Sequence, residues 1–543
     1  MVKNLLSLLT TRQHSILSGA SVLMATVALS RVLGLVRDRL LAHTFAPDQT
    51  AIFFAAFRLP DLLFQLLIFG AVSVAFIPTF TEYIHKRGEK QAFDFAADVF
   101  NVVLLSFTLL CIIDFIFVTP LTNLIVPGFS QEQKEAAASL TQIILLGQVL
   151  LAIGSFFAGI LQSYQRFIIP ALSAVFYNFG IILGIVILSP FLGLLGPALG
   201  VVLGAAFHVL IQIPLVTSLG FRCKLSFAIF NDGIRDVMRL MSIRTIGVAA
   251  EQVNETVGVV LASLISSSSV TYLTFATHLY TVPVGLFGAT LAQAALPVLS
   301  RAQARGEVHL FKATLLTTLH QILFLTLPAA AILIVLRIPA VRLVFGASQF
   351  DWTATVLTGR TLAFMAVGLV AQSLVLLIVR GFYALKDTKT PVLISIITVF
   401  LNITLSTYFV NVLDFDVWSL GLSYAIVTNL SLILLLYYLS RKVGGFTLRD
   451  VFLPASKMFF AASVAAVMLY IPMKALDQLV FDTTKTINLL FLTGIASFAG
   501  LSIYLYLVWL LKVKELSTFI NLFKRVYHYE FKVKSSEVID VDP

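Results

Sequence analysis

Charge is what this chain of 543 residues lacks: Asp, Glu, Lys and Arg make up 12% of it, against 59% hydrophobic residues. Soluble domains carry about twice that share of charge. So apolar a chain cannot clothe itself in polar surface, so lipid must be its solvent, and the soluble globular classes are excluded. Cysteine is scarce as well. Cys111 sits in an apolar run and Cys223 in a basic loop, so the two supply neither a disulfide framework nor a zinc spacing. The phosphate-cradling GxxxxGK followed by Ser or Thr is missing, as are HExxH and a sensibly placed Ser/His/Asp set. The chain therefore reads as a non-enzyme with no resident cofactor or metal. Any work it does must draw on membrane potential, a Na⁺ or H⁺ gradient, or the gradient of its own substrate.

What it has is long apolar runs. A window of about 20 residues finds about fourteen candidate spans. They begin with 15–41 and 51–83, reach 236–262 and 269–300 in the middle, and close with 455–475 and 486–511. The fold class is an all-α polytopic membrane protein. Residues 1–14 precede the first span as a short interfacial segment, with Leu5, Leu6, Leu8 and Leu9 on its apolar side. No turn-rich processing site follows, so this stretch is not read as a cleaved signal. With the N-terminus inside, roughly 27 of the 37 Lys and Arg fall in cytoplasmic segments, the positive-inside pattern. The outer loops, such as "SPFLGLLGP" and "NVLDFDV", are short and nearly neutral. Both termini are therefore expected inside, and the net charge of +10 reports topology rather than nucleic-acid binding.

The chain also repeats itself. The second span ends "FGAVSVAFIPTFTEYIHKRGE" and the eighth "FGATLAQAALPVLSRAQARGE". The second copy lies about 218 residues after the first, with six spans between equivalent points, which is the spacing of a parallel repeat in a two-bundle transporter. The expected layout is an N-lobe over 15–220 and a C-lobe over 221–445, six helices each. Two extra helices follow over 446–512, then a cytoplasmic tail over 513–543.

Several spans carry charge that lipid makes expensive, roughly 2.5 to 3.5 kcal/mol per group on insertion scales. In the first, "SRVLGLVRDRLLAHTF", Arg31, Gly34 and Asp38 share one helical face, while Arg37 points elsewhere and Arg39 suits an interfacial, snorkelling position. Arg58 and Asp61 open the stretch "FRLPDLL" around Pro60. In the seventh span Arg244, Glu251 and Glu255 form a stripe with Asn254 beside it, and repeat equivalence sets Glu255 against Arg37. One reading is mutual neutralisation between bundles. The other is a hydrated cavity for a phosphate-bearing substrate, lined by Arg31, Arg37, Asp38 and Arg58, with His278 able to join. Glu251, Asn254 and Glu255, with Asn402, are candidates for gating or for binding Na⁺ or H⁺.

The stretches "SRVLGLVRDRLLAHTF", "AIFFAAFRLPDLL", "QRFIIPALSAVFYN", "VPVGLFGATLAQAALPVLSR" and "RGFYALKDTKTPV" resemble the MurJ (MviN-like) lipid II flippases. That family belongs to the multidrug/oligosaccharidyl-lipid/polysaccharide exporter superfamily. The resemblance covers residues 15 to 510 or so and includes the span count. It implies a multi-pass monomer in the bacterial cytoplasmic membrane, moving the lipid-linked peptidoglycan precursor outward by alternating access, with membrane lipids as neighbours and no nucleic acid. The final two helices would form a groove for the lipid tail, and Arg31, Arg37 and Asp38 match the family's first-helix motif. The chain departs from the pattern at Phe64 and Gln65, where basic residues are usual, and at Phe69, where a glutamate is. His278 replaces an arginine and Thr281 a glutamate. Other cargoes stay open on these grounds: another polyprenyl-pyrophosphate glycan, or an amphipathic cation. A non-transporting scaffold is the remaining alternative.

Overall fold

The computed structural model describes residues 16–69, 72, 76–222, 224, 232–346, 348–479 and 485–520. The expected interfacial segment 1–14 lies outside them, as does the tail beyond 520. The first residues of that tail, 514–520, are helical.

Among the described residues, the regular elements are helices, as buried backbone in lipid requires. In chain order they are α1 (Ile16–Thr44), α2 (Pro47–Phe64), α3 (Ile77–Arg87), α4 (Glu89–Ile116), α5 (Val118–Ile125), α6 (Gln131–Ser163) and α7 (Ile168–Leu183). Next come α8 (Ser189–Leu192), α9 (Leu195–Leu210), α10 (Ile213–Ser218), α11 (Asp232–Ile265), α12 (Ser267–Pro283), α13 (Thr290–Ala304) and α14 (Val308–Val335). The last are α15 (Arg337–Phe345), α16 (Trp352–Val367), α17 (Leu369–Ala384), α18 (Lys389–Asn411), α19 (Trp418–Lys442), α20 (Leu448–Leu479) and α21 (Thr486–Leu510). Twelve described helical stretches are long and apolar enough to cross a membrane, or thirteen with one bent pair, against about fourteen expected. Helix α1 stands outside that number. Its 29 residues give it the length, and it carries Arg31, Arg37, Asp38 and Arg39.

Two interruptions coincide with the internal repeat. The backbone widens into π-helical turns over Gln65–Phe69 and over Val284–Ala289, so Phe69 and its counterpart Phe287 both fall on such turns, as do Gly288 and Ala289 of the second copy. Pro60 and Pro283 lie just upstream, each removing a backbone donor. Gly288 is required by crowding: a Cβ there would lie 2.8 Å from the Cα of Ser373 on α17. The tenth expected span, 355–380, is not straight. Helices α16 and α17 meet at Gly368 with a 44° bend, which hydropathy alone does not reveal.

The chain divides into two compact units. The first gathers the described residues up to His278 with Val344–Thr361 and Ser395–Ser423. Its core is aromatic, with Phe76, Phe80, Phe95, Phe100 and Phe156 buried together and the rings of Phe76 and Phe156 centred 4.3 Å apart. Helices α7 and α9 touch through glycines, where a Cβ on Gly180 would lie 2.2 Å from the Cα of Gly204. The second unit gathers Leu279–Leu343, Leu362–Ile394 and the described residues from Tyr424 onward. Phe311, Leu315, Ile322, Phe382 and Leu439 fill its core, and the Tyr504 hydroxyl donates to the Phe324 carbonyl at 2.9 Å. This division does not follow the expected lobe boundary at residue 220. Helix α11, assigned from sequence to the second lobe, is held in the first unit by polar contacts to α2 and by Gly128 N–H donating to Ser263 Oγ at 3.3 Å.

Candidate functional site

Two polar clusters in the spans of the first unit are each built on an arginine. On α1, Asp38 is 1% exposed and uses both carboxylate oxygens. Its Oδ1 accepts from Arg37 Nε at 3.0 Å and Nη2 at 2.8 Å, and its Oδ2 lies 2.6 Å from His278 Nδ1 on α12. An ionised carboxylate only accepts, so Nδ1 carries the hydrogen in this contact. The remaining edge of Arg37 reaches α7, where Asn178 Oδ1 accepts from Nη1 at 3.4 Å. Asn178 is itself oriented by donating to the Ala174 carbonyl at 3.1 Å. Gly34, one turn before Asp38, leaves room on this side of α1, since a Cβ on it would sit 3.9 Å from Asn178 Oδ1.

The second arginine is Arg58 on α2, 8% exposed. Its Nη1 donates to Glu255 Oε2 at 2.9 Å and its Nε to Thr256 Oγ1 at 2.9 Å. Its Nη2 donates both to the Gln252 carbonyl at 2.7 Å and to Gln252 Oε1 at 2.9 Å. Acceptors from three residues of one turn of α11 thus fit the planar fork of one guanidinium. A buried arginine so fully matched is tolerable, whereas the same arginine with one acceptor deleted would be costly.

Repeat equivalence set Arg37 against Glu255; the structure pairs each with another group. Arg37 turns back to Asp38, its sequence neighbour, and Glu255 meets Arg58. The physical reason is reach: the carboxylate beside Arg37 is available without crossing to another helix. Arg58 and Glu255, expected in separate roles, share one ion pair. Of the other expected residues, Arg31 and Glu251 are exposed, and Arg39 Nη1 donates to the Val344 carbonyl at 3.3 Å. Asn254 Oδ1 accepts from Asn402 Nδ2 at 2.8 Å. The side chain of Arg244 lies outside the described residues. Among the described residues, no group of three His, Cys, Asp or Glu could hold a metal ion. Sequence reasoning missed Asn178, Gln252 and Thr256. The signal was present, since each is polar in an apolar helix, but nothing in one sequence says which charge such a residue serves.

Comparison with known proteins follows the same lines. A family model described as "Lipid II flippase MurJ" matches residues 41–491. A probable lipid II flippase MurJ of Rhizobium meliloti (strain 1021) is 30% identical over 69% of this chain and 72% of its own length. Another, of Buchnera aphidicola subsp. Baizongia pistaciae (strain Bp), is 26% identical over 82% of this chain and 87% of its own. Among solved structures, a lipid II flippase MurJ in an inward closed conformation shares the fold with TM-score 0.72 at 24% identity, covering 89% of this chain and 98% of that one. An inward-facing multidrug resistance MATE transporter of the MOP superfamily follows with TM-score 0.65 at 15% identity, covering 78% and 98%.

Proposed function

The chain belongs to the lipid II flippase MurJ family, and from that membership we propose that it carries lipid II from the inner to the outer leaflet of the cytoplasmic membrane by alternating access. It works as a multi-pass monomer with both termini inside, without catalysis and without nucleic acid, and serves wall synthesis. The observation that carries the proposal is the Arg37–Asp38–His278 cluster. A guanidinium in a membrane span, 20% exposed and held by the carboxylate of the adjacent residue, can exchange that carboxylate for a diphosphate oxygen without losing a charged partner. Asp38 then keeps His278, and Arg31, exposed on the same helix, supplies further positive charge. The drive is the membrane potential or a Na⁺ or H⁺ gradient, with Glu251, Asn254 and Glu255 as candidates for coupling.

The test is complementation of a bacterium depleted of its own flippase. The parent chain restores growth, and the double variant Arg31→Ala, Arg37→Ala fails to while still reaching the membrane. Growth supported by the double variant would overturn the proposal. A second reading, export of an amphipathic cation, has one observation in its favour. Among the described side chains of α1, α2 and α11, the four arginines Arg31, Arg37, Arg39 and Arg58 are outnumbered by the five carboxylates Asp38, Asp48, Asp61, Glu251 and Glu255. A chain working this way gives cells resistance to lipophilic cations and fails the complementation.

A further inference from the structure

Helix α4 ends "CIIDFI", and Asp114 is the residue of that run whose situation lipid packing does not explain. Ile112, Ile113, Phe115 and Ile116 around it are exposed, as membrane-facing residues of an isolated chain should be. Asp114 turns the other way and is 3% exposed, on the same side as Cys111 and Phe107, both buried. Among the described residues, neither of its carboxylate oxygens has a hydrogen-bond partner.

The neighbouring helices show why none is supplied. Phe107 meets Phe64 of α2 edge-on at 6.3 Å, and Phe100 meets Phe156 of α6 at 5.1 Å. Carried along these antiparallel contacts by two to four turns, Asp114 lies level with Phe57 and with the turn of α6 that contains Thr141. The Thr141 hydroxyl is already engaged with the carbonyls of Ala137 and Ala56. On α2, Arg58 is bound to α11, leaving Asp48 and Asp61, which are no partners for a carboxylate. On α11 the described carboxylates are Glu251 and Glu255, and α5 has no charged residue. On α6 the charges sit in the first turns, where Lys134 donates to the Pro127 carbonyl and Gln131 to Glu135. Glu82, His85, Lys86 and Arg87 of α3 lie at the opposite end of α4, about 40 Å away along a helix rising 1.5 Å per residue. On α4 itself, Asp94 is paired with Lys224, and Glu89, Lys90 and Asp98 also lie in its first half. Among the described residues no cation balances Asp114, and an ionised carboxylate so placed is far costlier than the neutral acid.

We propose that Asp114 is a proton-binding site within the membrane: its carboxyl holds a proton while α4 is packed on α2 and α6, and releases it to water when that packing opens. The ligand is the proton of bulk water, the bond that breaks is O–H, and a carboxylate and a hydrated proton remain. The site is separate from the arginine clusters and does not depend on which cargo the chain carries.

The infrared spectrum of the purified full chain in lipid nanodiscs at pH 7 tests this. A carboxylic C=O band above the amide region is expected in the parent. In Asp114→Asn it loses the intensity of one carboxyl, and in Asp114→Glu it is retained at a shifted frequency. Should Asp114→Asn not fold, the parent labelled with ¹³C at the aspartate side-chain carbon shows the isotope shift of a protonated aspartate in that band, and persistence of that shift in labelled Asp61→Asn separates Asp114 from the buried aspartate on α2. Unfolding the labelled parent in detergent at the same pH should abolish the band, because a hydrated aspartate is ionised there. Coincident spectra of parent and Asp114→Asn, aspartate intensity only at the carboxylate frequency, or a band that survives unfolding would each overturn the proposal.

Discussion

Asp38 answers two bases at once, so loss of its charge takes from Arg37 its ion-pair partner and from His278 the carboxylate that its Nδ1 meets. Deleting one partner of a buried pair costs about 3 to 5 kcal/mol, because the charge left behind stays out of water. Asp38→Asn is therefore expected to lower the melting temperature of the purified protein sharply. The double variant Asp38→Asn, Arg37→Gln should recover much of the loss, since no charge is then stranded, and a double-mutant cycle on melting curves measures this coupling. Additive losses would show that Asp38 and Arg37 do not act as a pair. A second residue-scale prediction concerns the loop between α17 and α18. Asp387 accepts from the backbone N–H groups of Lys389 and Thr390, both at 3.1 Å, and from the Thr390 hydroxyl at 2.6 Å, and it is ion-paired with Lys442. Burial opposes its ionisation, but Lys442 and Thr390 outweigh it and hold the carboxyl at about 2, below its ordinary 3.8. A carboxyl depressed on folding stabilises the fold above its unfolded value and loses that contribution as acid titrates the folded form. Melting temperature followed downward from about pH 5 to pH 2 should thus fall more steeply in the parent than in Asp387→Asn, which has already lost the contribution at neutral pH. Parallel curves would remove Asp387 from the account.

Among the elements, the π turns at Gln65–Phe69 and Val284–Ala289 give the internal repeat a physical meaning. Each follows a proline in a span that the sequence reads as one run, and in the second the motif glycine lies against the backbone of α17. Gly288→Ala would force a Cβ to within 2.8 Å of the Ser373 Cα, so either α17 moves or the turn unwinds. Overpacking of this kind costs about 1 to 3 kcal/mol, which should appear as a lower melting temperature and yield. Gly285→Ala, three residues earlier on the same turn, is the control: a Cβ there meets nothing within 4 Å and stability should hold or rise. Equal losses at both positions would place the cost in the turn rather than in its contact with α17. The spans and the motif recurrence were readable from sequence because hydropathy acts over about 20 residues and needs no partner. Partner choice was not readable. That Arg58 meets the Gln252–Thr256 turn, or that Arg37 prefers Asp38 to Glu255, depends on helix rotation and packing, which apolar side chains of similar size leave undetermined in one sequence. The bend at Gly368 escaped for a related reason, since a glycine within an apolar run changes hydropathy little whether the helix is straight or broken there.

For the whole molecule, the distribution of basic residues and the parallel repeat make one joint demand. Arg305 repeats Arg87 after the second copy of the motif, Lys86 stands beside Arg87, and the side chains of Lys86 and Arg305 are both about 70% exposed. If an even number of crossings separates them, both lie on one side of the membrane, and the positive-inside rule makes that side cytoplasmic. Asp414, in the loop between α18 and α19, is exposed and should lie on the other side. In a background with Cys111 and Cys223 replaced by serine or alanine, single cysteines at 86, 305 and 414 can be probed with a membrane-impermeant maleimide. Position 414 should label in intact cells, and positions 86 and 305 only after the membrane is opened. Labelling of 86 and 305 from opposite sides would mean an odd number of crossings between them. The repeat would then be inverted, and lobes related by an axis along the membrane normal would be ruled out for this chain whatever its cargo. Labelling of both from outside would keep the repeat and reverse the assigned orientation, turning the positive charge of the chain away from the cytoplasm.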